Sequence, residues 1–250
     1  MKRLFLFVLM AVLCATPLSA GPITYSGVDA GVGPGGARTN SAAAESAFKT
    51  AIAGASGTPG TVDFELATPG YYTNFNVGSI KFTLTGVTND AGAGVSTDTA
   101  DPAVLGYNTT AGGDTFLRVV PIFDIGTVTV DIDFQQPTEY FGAYFTGLGT
   151  AAGNLFFDFN NGSPQSLSVP GTPGGGVRYF GVTSFGEPFQ VMRLSLRNVV
   201  GTRDIYGIDD ITGGGVENGD VIDNPIPEPG TLLLTGLGVA IAGLKRRRRQ

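Results

Sequence analysis

Histidine and tryptophan are absent from all 250 residues, and the single cysteine, Cys14, lies within the first twenty. Without histidine there is no Ser-His-Asp triad and no Cys-His pair. Without histidine, and with no cysteine after Cys14, there is no His- or Cys-based zinc or haem site. If the first twenty residues are removed, no thiol or disulfide remains, and stability rests on core packing. Lack of tryptophan removes the largest aromatic platform for a sugar ring. Charged residues are scarce at 14%. No Gly-Lys-Ser/Thr phosphate loop and no repeat of fixed period occurs.

What is abundant is glycine, with 39 residues, accompanied by 15 prolines and many Thr, Ser, Asn and Val. That mixture fits an all-β domain with many turns. Hydrophobic residues make up 42%, too many for a disordered chain. The length suits one large β domain or two small ones.

Seven of the 15 basic residues sit at the ends, as Lys2, Arg3, Lys245 and Arg246 to Arg249. Residues 21–226 keep 8 basic and 20 acidic side chains. So acidic a segment repels phosphate backbones, which argues against nucleic acid as a partner and suits a soluble exported protein.

Met1-Lys2-Arg3, an apolar stretch from Leu4 to Ala15, and Thr16-Pro17-Leu18-Ser19-Ala20 have the three-part build of a secretory signal peptide over residues 1–20. The apolar stretch is too short to span about 30 Å of hydrocarbon. Cleavage after Ala20 is expected.

The other end, 227–250, reads Pro227-Glu228-Pro229-Gly230, an apolar stretch Thr231 to Leu244, then Lys245, Arg246, Arg247, Arg248, Arg249 and Gln250. As a helix the apolar stretch measures roughly 21 Å, a marginal span that snorkelling Lys245 and Arg246 extend. The terminal positive cluster stays cytoplasmic, and with a leader in front the body lies outside. The two prolines keep the approach to the helix extended and accessible. Tripeptide, apolar helix and Arg cluster together resemble the PEP-CTERM sorting signal. The resemblance implies recognition in the membrane by an exosortase, cleavage near Pro227-Glu228-Pro229, and release or surface attachment, commonly in bacteria that make exopolysaccharide.

Between the ends, residues 21–60 read as a Gly/Ala-rich lead-in with one short helix over 41–53. Asn40 or Ser41 is its expected cap, and Ala44, Phe48, Ala51 and Ile52 share one face. From residue 61 the period changes to two. Val62, Phe64 and Leu66 alternate with acids, and Val128, Val130, Ile132 and Phe134 with Thr129, Asp131 and Asp133. Leu155-Phe157-Phe159 and Met192-Leu194-Leu196 repeat the pattern. Further strands are expected over 79–85, 103–107, 114–120, 139–146, 177–183 and 204–212. About ten strands with one apolar face predict a mainly β fold, a two-sheet antiparallel sandwich of jelly-roll type over 61–213. The helix is expected across one edge or end, and residues 214–226 read as a flexible acidic linker. Phe48 on a short helix, Asp63-Phe64-Glu65 opening the sheet and Ile208-Asp209-Asp210 closing it also resemble a module common in PEP-CTERM proteins and other secreted β-sandwiches.

Carboxylate chemistry is what the composition leaves. A glycosidase needs two Asp or Glu some 5 to 10 Å apart in a cleft, and no pair is singled out by spacing. Calcium is the more specific expectation. Asp63 and Glu65 on the first clear strand, with Asp209 and Asp210 on the last, supply oxygen ligands that neighbouring first and last strands would bring together. Gly31-Val32-Gly33-Pro34-Gly35-Gly36 spells G-x-G-x-x-G with no evident strand before it. Asn108-Thr109-Thr110 spells a glycosylation sequon but suits a turn. Seven tyrosines, Tyr71, Tyr72, Tyr107, Tyr140, Tyr144, Tyr179 and Tyr206, are candidates for sugar stacking or for packing. The reading that results is an exported, non-catalytic surface or matrix protein associated with exopolysaccharide. A carboxylate-dependent hydrolase or lyase and a purely structural surface protein are the alternatives.

Overall fold

Alternation sets the strands, because successive side chains in a strand face opposite sides. In the computed structural model, residues 21–214 are described except for 90–91, 98–104, 124–125, 150–153, 160–164, 173, 186–187 and 198–202. The expected leader, with Ala20, and nearly all of the linker and tail lie outside the described residues. Strand β7 (Thr127–Thr138) buries Val128, Val130, Ile132 and Phe134 and turns Thr129, Asp131 and Asp133 outward. Strands β4 (Ile80–Thr85), β9 (Asn154–Phe159) and β12 (Phe189–Arg197) bury Phe82, Phe157 and Leu194 by the same alternation.

These strands build one antiparallel sheet in the order β10 (Gln165–Pro170), β9, β12, β7, β4, β3 (Asn74–Val77). The second runs β1 (Ile23–Ala30), β11 (Gly176–Thr183), β8 (Tyr140–Thr146), β13 (Tyr206–Gly214), β6 (Thr115–Val119), β5 (Gly94–Thr97), with β2 (Pro59–Val62) also on β13. The expected two-sheet sandwich is therefore the observed fold. Its core lies between the sheets, where the Phe157 ring stacks on Phe180 of the facing sheet at 4.4 Å.

The two outer faces differ. That of the first sheet carries Lys81, Thr83, Asp131, Asp158, Arg193 and Ser195 and meets solvent. That of the second carries Tyr140, Tyr144, Val177 and Tyr179, which need an apolar cover. Helix α1 (Thr39–Gly54) supplies it with Phe48 and Ile52, both fully buried. Gly142 and Gly181 leave room for the Phe48 ring; a Cβ on either would come within 2.8 Å of it. The helix thus lies on a sheet face over β1 and β11 rather than at an edge or end.

Its cap is also tertiary. The Asp29 carboxylate on β1 accepts from the Asn40 and Ser41 amides at 3.0 and 2.8 Å and from the Ser41 hydroxyl at 2.7 Å. Those amides are orphan donors of a first turn, so the acid does what Asn40 or Ser41 was expected to do. Burial pushes the Asp29 carboxyl up, but the hydrogen bonds from Ser41 and Asn40 outweigh it and hold the group below its ordinary range.

Two further expectations change. Residues 23–30 form an edge strand in what read as a lead-in; Gly27 and a weak apolar alternation hide it. The expected strand over 61–66 ends at Val62, because Phe64 adopts φ 63° and turns the chain, leaving Leu66 58% exposed. Of the expected strand over 103–107, Leu105 to Tyr107 are described and are not in a strand.

Candidate functional site

The site begins with an irregularity in β13. Asp209 lies opposite Tyr144 on β8 while Thr212 lies opposite Gly142, so β13 holds one extra residue between those pairs. Asp210 sits there at φ 48°, a left-handed conformation that Asp tolerates better than most side chains. A bulge of this kind re-aims side chains. Here both carboxylates reach the segment from Tyr107 to Thr115 that enters β6.

That segment is gripped from three sides. Thr146 on β8 exchanges hydrogen bonds with Tyr107: the Tyr107 amide donates to the Thr146 hydroxyl at 2.8 Å, which donates to the Tyr107 carbonyl at 2.9 Å. The Glu65 carboxylate accepts from the Asn108 amide group and from the Asp114 backbone N–H at 3.1 Å. Asp209 Oδ2 accepts from the Thr109 N–H at 2.6 Å, and Asp210 Oδ1 from the Thr110 hydroxyl at 2.8 Å. Asn108, spelled as a sequon, is buried and structurally committed.

Asp209 is fully buried, and its Oδ1 has no partner among the described residues. Burial pushes its carboxyl well above the ordinary range, the neighbouring Asp210 adds to this, and the Thr109 hydrogen bonds only partly oppose it. Asp210 is raised as well, by burial first, against the hydrogen bonds from Thr109 and Thr110.

Beside the segment opens a cavity of about 300 Å³. Pro34, Gly35, Gly36 and Arg38 line one wall, and Asn108 to Gly113 line another. The Arg38 guanidinium stands 5.0 Å from the centroid of the Tyr144 ring, whose hydroxyl donates to Glu45 Oε2 at 2.7 Å. Burial and Glu45 together raise the Tyr144 phenol far above its usual range. Arg38 was not singled out by sequence reasoning. Its position as a lone cation between a glycine-rich stretch and a helix was the available signal.

Of the four acids expected to hold calcium, Glu65, Asp209 and Asp210 all reach the 108–115 segment, and β2 does pair with β13. Asp63 instead accepts from the Glu65 amide at 3.2 Å within the turn. Among the described residues, no three His, Cys, Asp or Glu converge as metal ligands. The glycine spelling at 31–36 does follow a strand and precede a helix. Both flanking strands pair antiparallel, however, and Asp29 takes the helix amides a pyrophosphate would need. Of the seven tyrosines six are buried and only Tyr71 is half-exposed. The others pack in the core or beneath α1, so they offer no stacking face.

Among the described residues no helix is long and apolar enough to cross a membrane. A search of curated proteins finds no match to the chain. Among solved structures, the K1 cleaved adhesin domain of Lys-gingipain from Porphyromonas gingivalis W83 is 14% identical with a TM-score of 0.35, covering 65% of this chain and 100% of that one. The family 30 carbohydrate-binding module of a cellulosomal cellulase of Clostridium thermocellum is 11% identical with a TM-score of 0.34, covering 68% and 99%. TmCBM61 in complex with β-1,4-galactotriose is 17% identical, again with a TM-score of 0.34, covering 52% and 85%. At these scores nothing about a ligand of this chain follows from them. The family model of the PEP-CTERM protein-sorting motif matches residues 225–249, which include Pro227, Glu228, Pro229 and Arg246 to Arg249. The chain therefore carries a PEP-CTERM sorting motif, which signals export, a C-terminal membrane anchor until exosortase cleavage, and surface localisation afterwards.

Proposed function

We propose that the processed protein is a non-catalytic surface or matrix module that binds extracellular polysaccharide through the cavity beside the Tyr107–Thr115 segment. The observation that carries this reading is the cavity itself, polar-walled and framed by hydrogen-bonded side chains, in a chain that the sorting motif sends to the surface. Its walls offer backbone carbonyls and amides, Thr hydroxyls and a guanidinium, the donors and acceptors a sugar uses.

Two features speak against catalysis. The Asp209–Asp210 carboxylate pair has one member with no exposure, whereas glycoside hydrolysis needs two carboxylates flanking the scissile bond in an open cleft. No histidine exists to replace them.

The test uses the protein recovered after export, its tail processing verified by intact mass, on a panel of bacterial and plant polysaccharides. Saturable retention with no shortened product supports the reading. Release of oligosaccharides would replace it with the hydrolase or lyase alternative, and retention by none of them would leave a purely structural role.

A further inference from the structure

Arg38 is half-buried, and its side chain makes no hydrogen bond or ion pair among the described residues. Its Nη1 is nevertheless shielded from solvent. An Nη1 so placed has lost water without gaining a hydrogen-bond acceptor, which is unfavourable unless something else supplies one. One face of the guanidinium rests on the Tyr144 ring, which fixes its plane and leaves the fork of N–H groups free. Arg38 also lines the 300 Å³ cavity. On another wall the Thr110 hydroxyl donates to Asp210, and the one proton of the Thr109 hydroxyl is committed to the Asp209–Asp210 pair, so both hydroxyls present only lone pairs to an occupant. Glu45 is likewise occupied, by the Tyr144 hydroxyl and by Lys49 at 2.7 Å. Arg38 is therefore the strongest uncommitted donor on the cavity wall.

We infer that the cavity selects an acidic sugar, with Arg38 holding the carboxylate of a uronate residue. A planar guanidinium fork matches a carboxylate in two parallel hydrogen bonds, a match that neutral hydroxyls do not provide. The Thr109 and Thr110 hydroxyl oxygens then accept from the sugar's own hydroxyls. Gly35 and Gly36 allow close approach beside Arg38 because they carry no side chain. The inference rests on the polysaccharide reading above and adds the chemical class of the ligand.

The experiment is calorimetric titration of the exported, processed protein with oligogalacturonate and with neutral oligogalactose of equal length. The expected result is a preference for the acidic ligand of about 10- to 100-fold, the worth of a charge-assisted pair. Arg38→Gln abolishes the preference and Arg38→Lys keeps part of it. Ala111→Trp, at an exposed position on the cavity wall, blocks both ligands without touching the guanidinium, so a folding defect at Arg38 does not leave the question open. Equal binding of both ligands, unchanged in Arg38→Gln, overturns the inference and leaves polysaccharide binding standing. Binding of neither overturns the reading beneath it.

Discussion

Asp209 and Asp210 reach for the same proton. The Thr109 hydroxyl lies 2.9 Å from Asp209 Oδ2 and 2.7 Å from Asp210 Oδ2, and a hydroxyl has one proton to give. Both contacts are hydrogen bonds only when one carboxyl is itself protonated. Burial and mutual repulsion favour that state, so the two acids hold a proton as a pair.

The pair has a pH signature of defined sign. Its folded-state affinity for protons is raised, so the folded chain binds more protons than the unfolded one above the ordinary carboxylate range. Stability from this source is therefore present at pH 4 and declines as pH rises towards the pair's raised range. Asp209→Asn, which keeps the shape and removes the titration, should match the native protein near pH 4 and exceed it near pH 7 in urea denaturation. Asp209→Ala should lose about 2–4 kcal/mol near pH 4, because the Thr109 amide is left without its acceptor, and the loss should shrink as pH rises. A difference between native protein and Asp209→Asn that does not vary with pH contradicts the shared proton.

Asp204 gives a second titration away from the cavity. It is buried, with Oδ2 lacking a partner among the described residues, and burial raises its carboxyl to about 6 against a single hydrogen bond from the Gly149 amide. By the same sign rule, its contribution falls as pH climbs from about 4 to about 6 and is constant above that. Asp204→Asn should flatten that window and add up to about 3 kcal/mol at pH 7, at about 1.4 kcal/mol per pH unit. Parallel pH profiles for the two proteins would show that Asp204 does not titrate there.

The helix cover supplies a third test. Phe48 meets Tyr25, Tyr140 and Tyr179 at ring separations of 5.6, 6.4 and 5.8 Å. Phe48→Ala should cost about 3–5 kcal/mol. Because α1 positions the wall that carries Arg38, ligand affinity should fall with it. Asp29→Ala should cost less, and the loss should be largest above the ordinary carboxylate range, since Asp29 is held ionised and its contribution fades as pH falls. If Phe48→Ala loses less than 1 kcal/mol, the outer face of that sheet does not depend on its cover.

Much of this was legible in the sequence because strand alternation is local. Val128 to Phe134 announce a strand and its buried face without reference to anything distant. The sorting tail was legible for the same reason, its three parts being contiguous. What was hidden depends on contacts made only in the fold. Asp29 caps a helix that begins ten residues later. Phe64 turns the chain where alternation predicted continuation, and Leu66 is exposed as a result. Asp209 and Asp210 were singled out as acids on the last strand, but the bulge that turns both towards Thr109 leaves no mark on composition or period. Arg38 became visible only once the cavity was on hand to show a guanidinium whose Nη1 has no hydrogen-bond acceptor among the described residues.

The central claim is that a sorted, surface-borne module holds polysaccharide, and its most direct test is partition in the native host. Antibody-detected protein is measured in the extracellular polysaccharide fraction, in the medium and on the cells, before and after the polysaccharide is digested. The account predicts processed protein, lacking Thr231–Gln250, concentrated in the polysaccharide fraction and released on digestion, with Arg38→Gln shifted to the medium. Processed protein that distributes identically with and without the polysaccharide contradicts it.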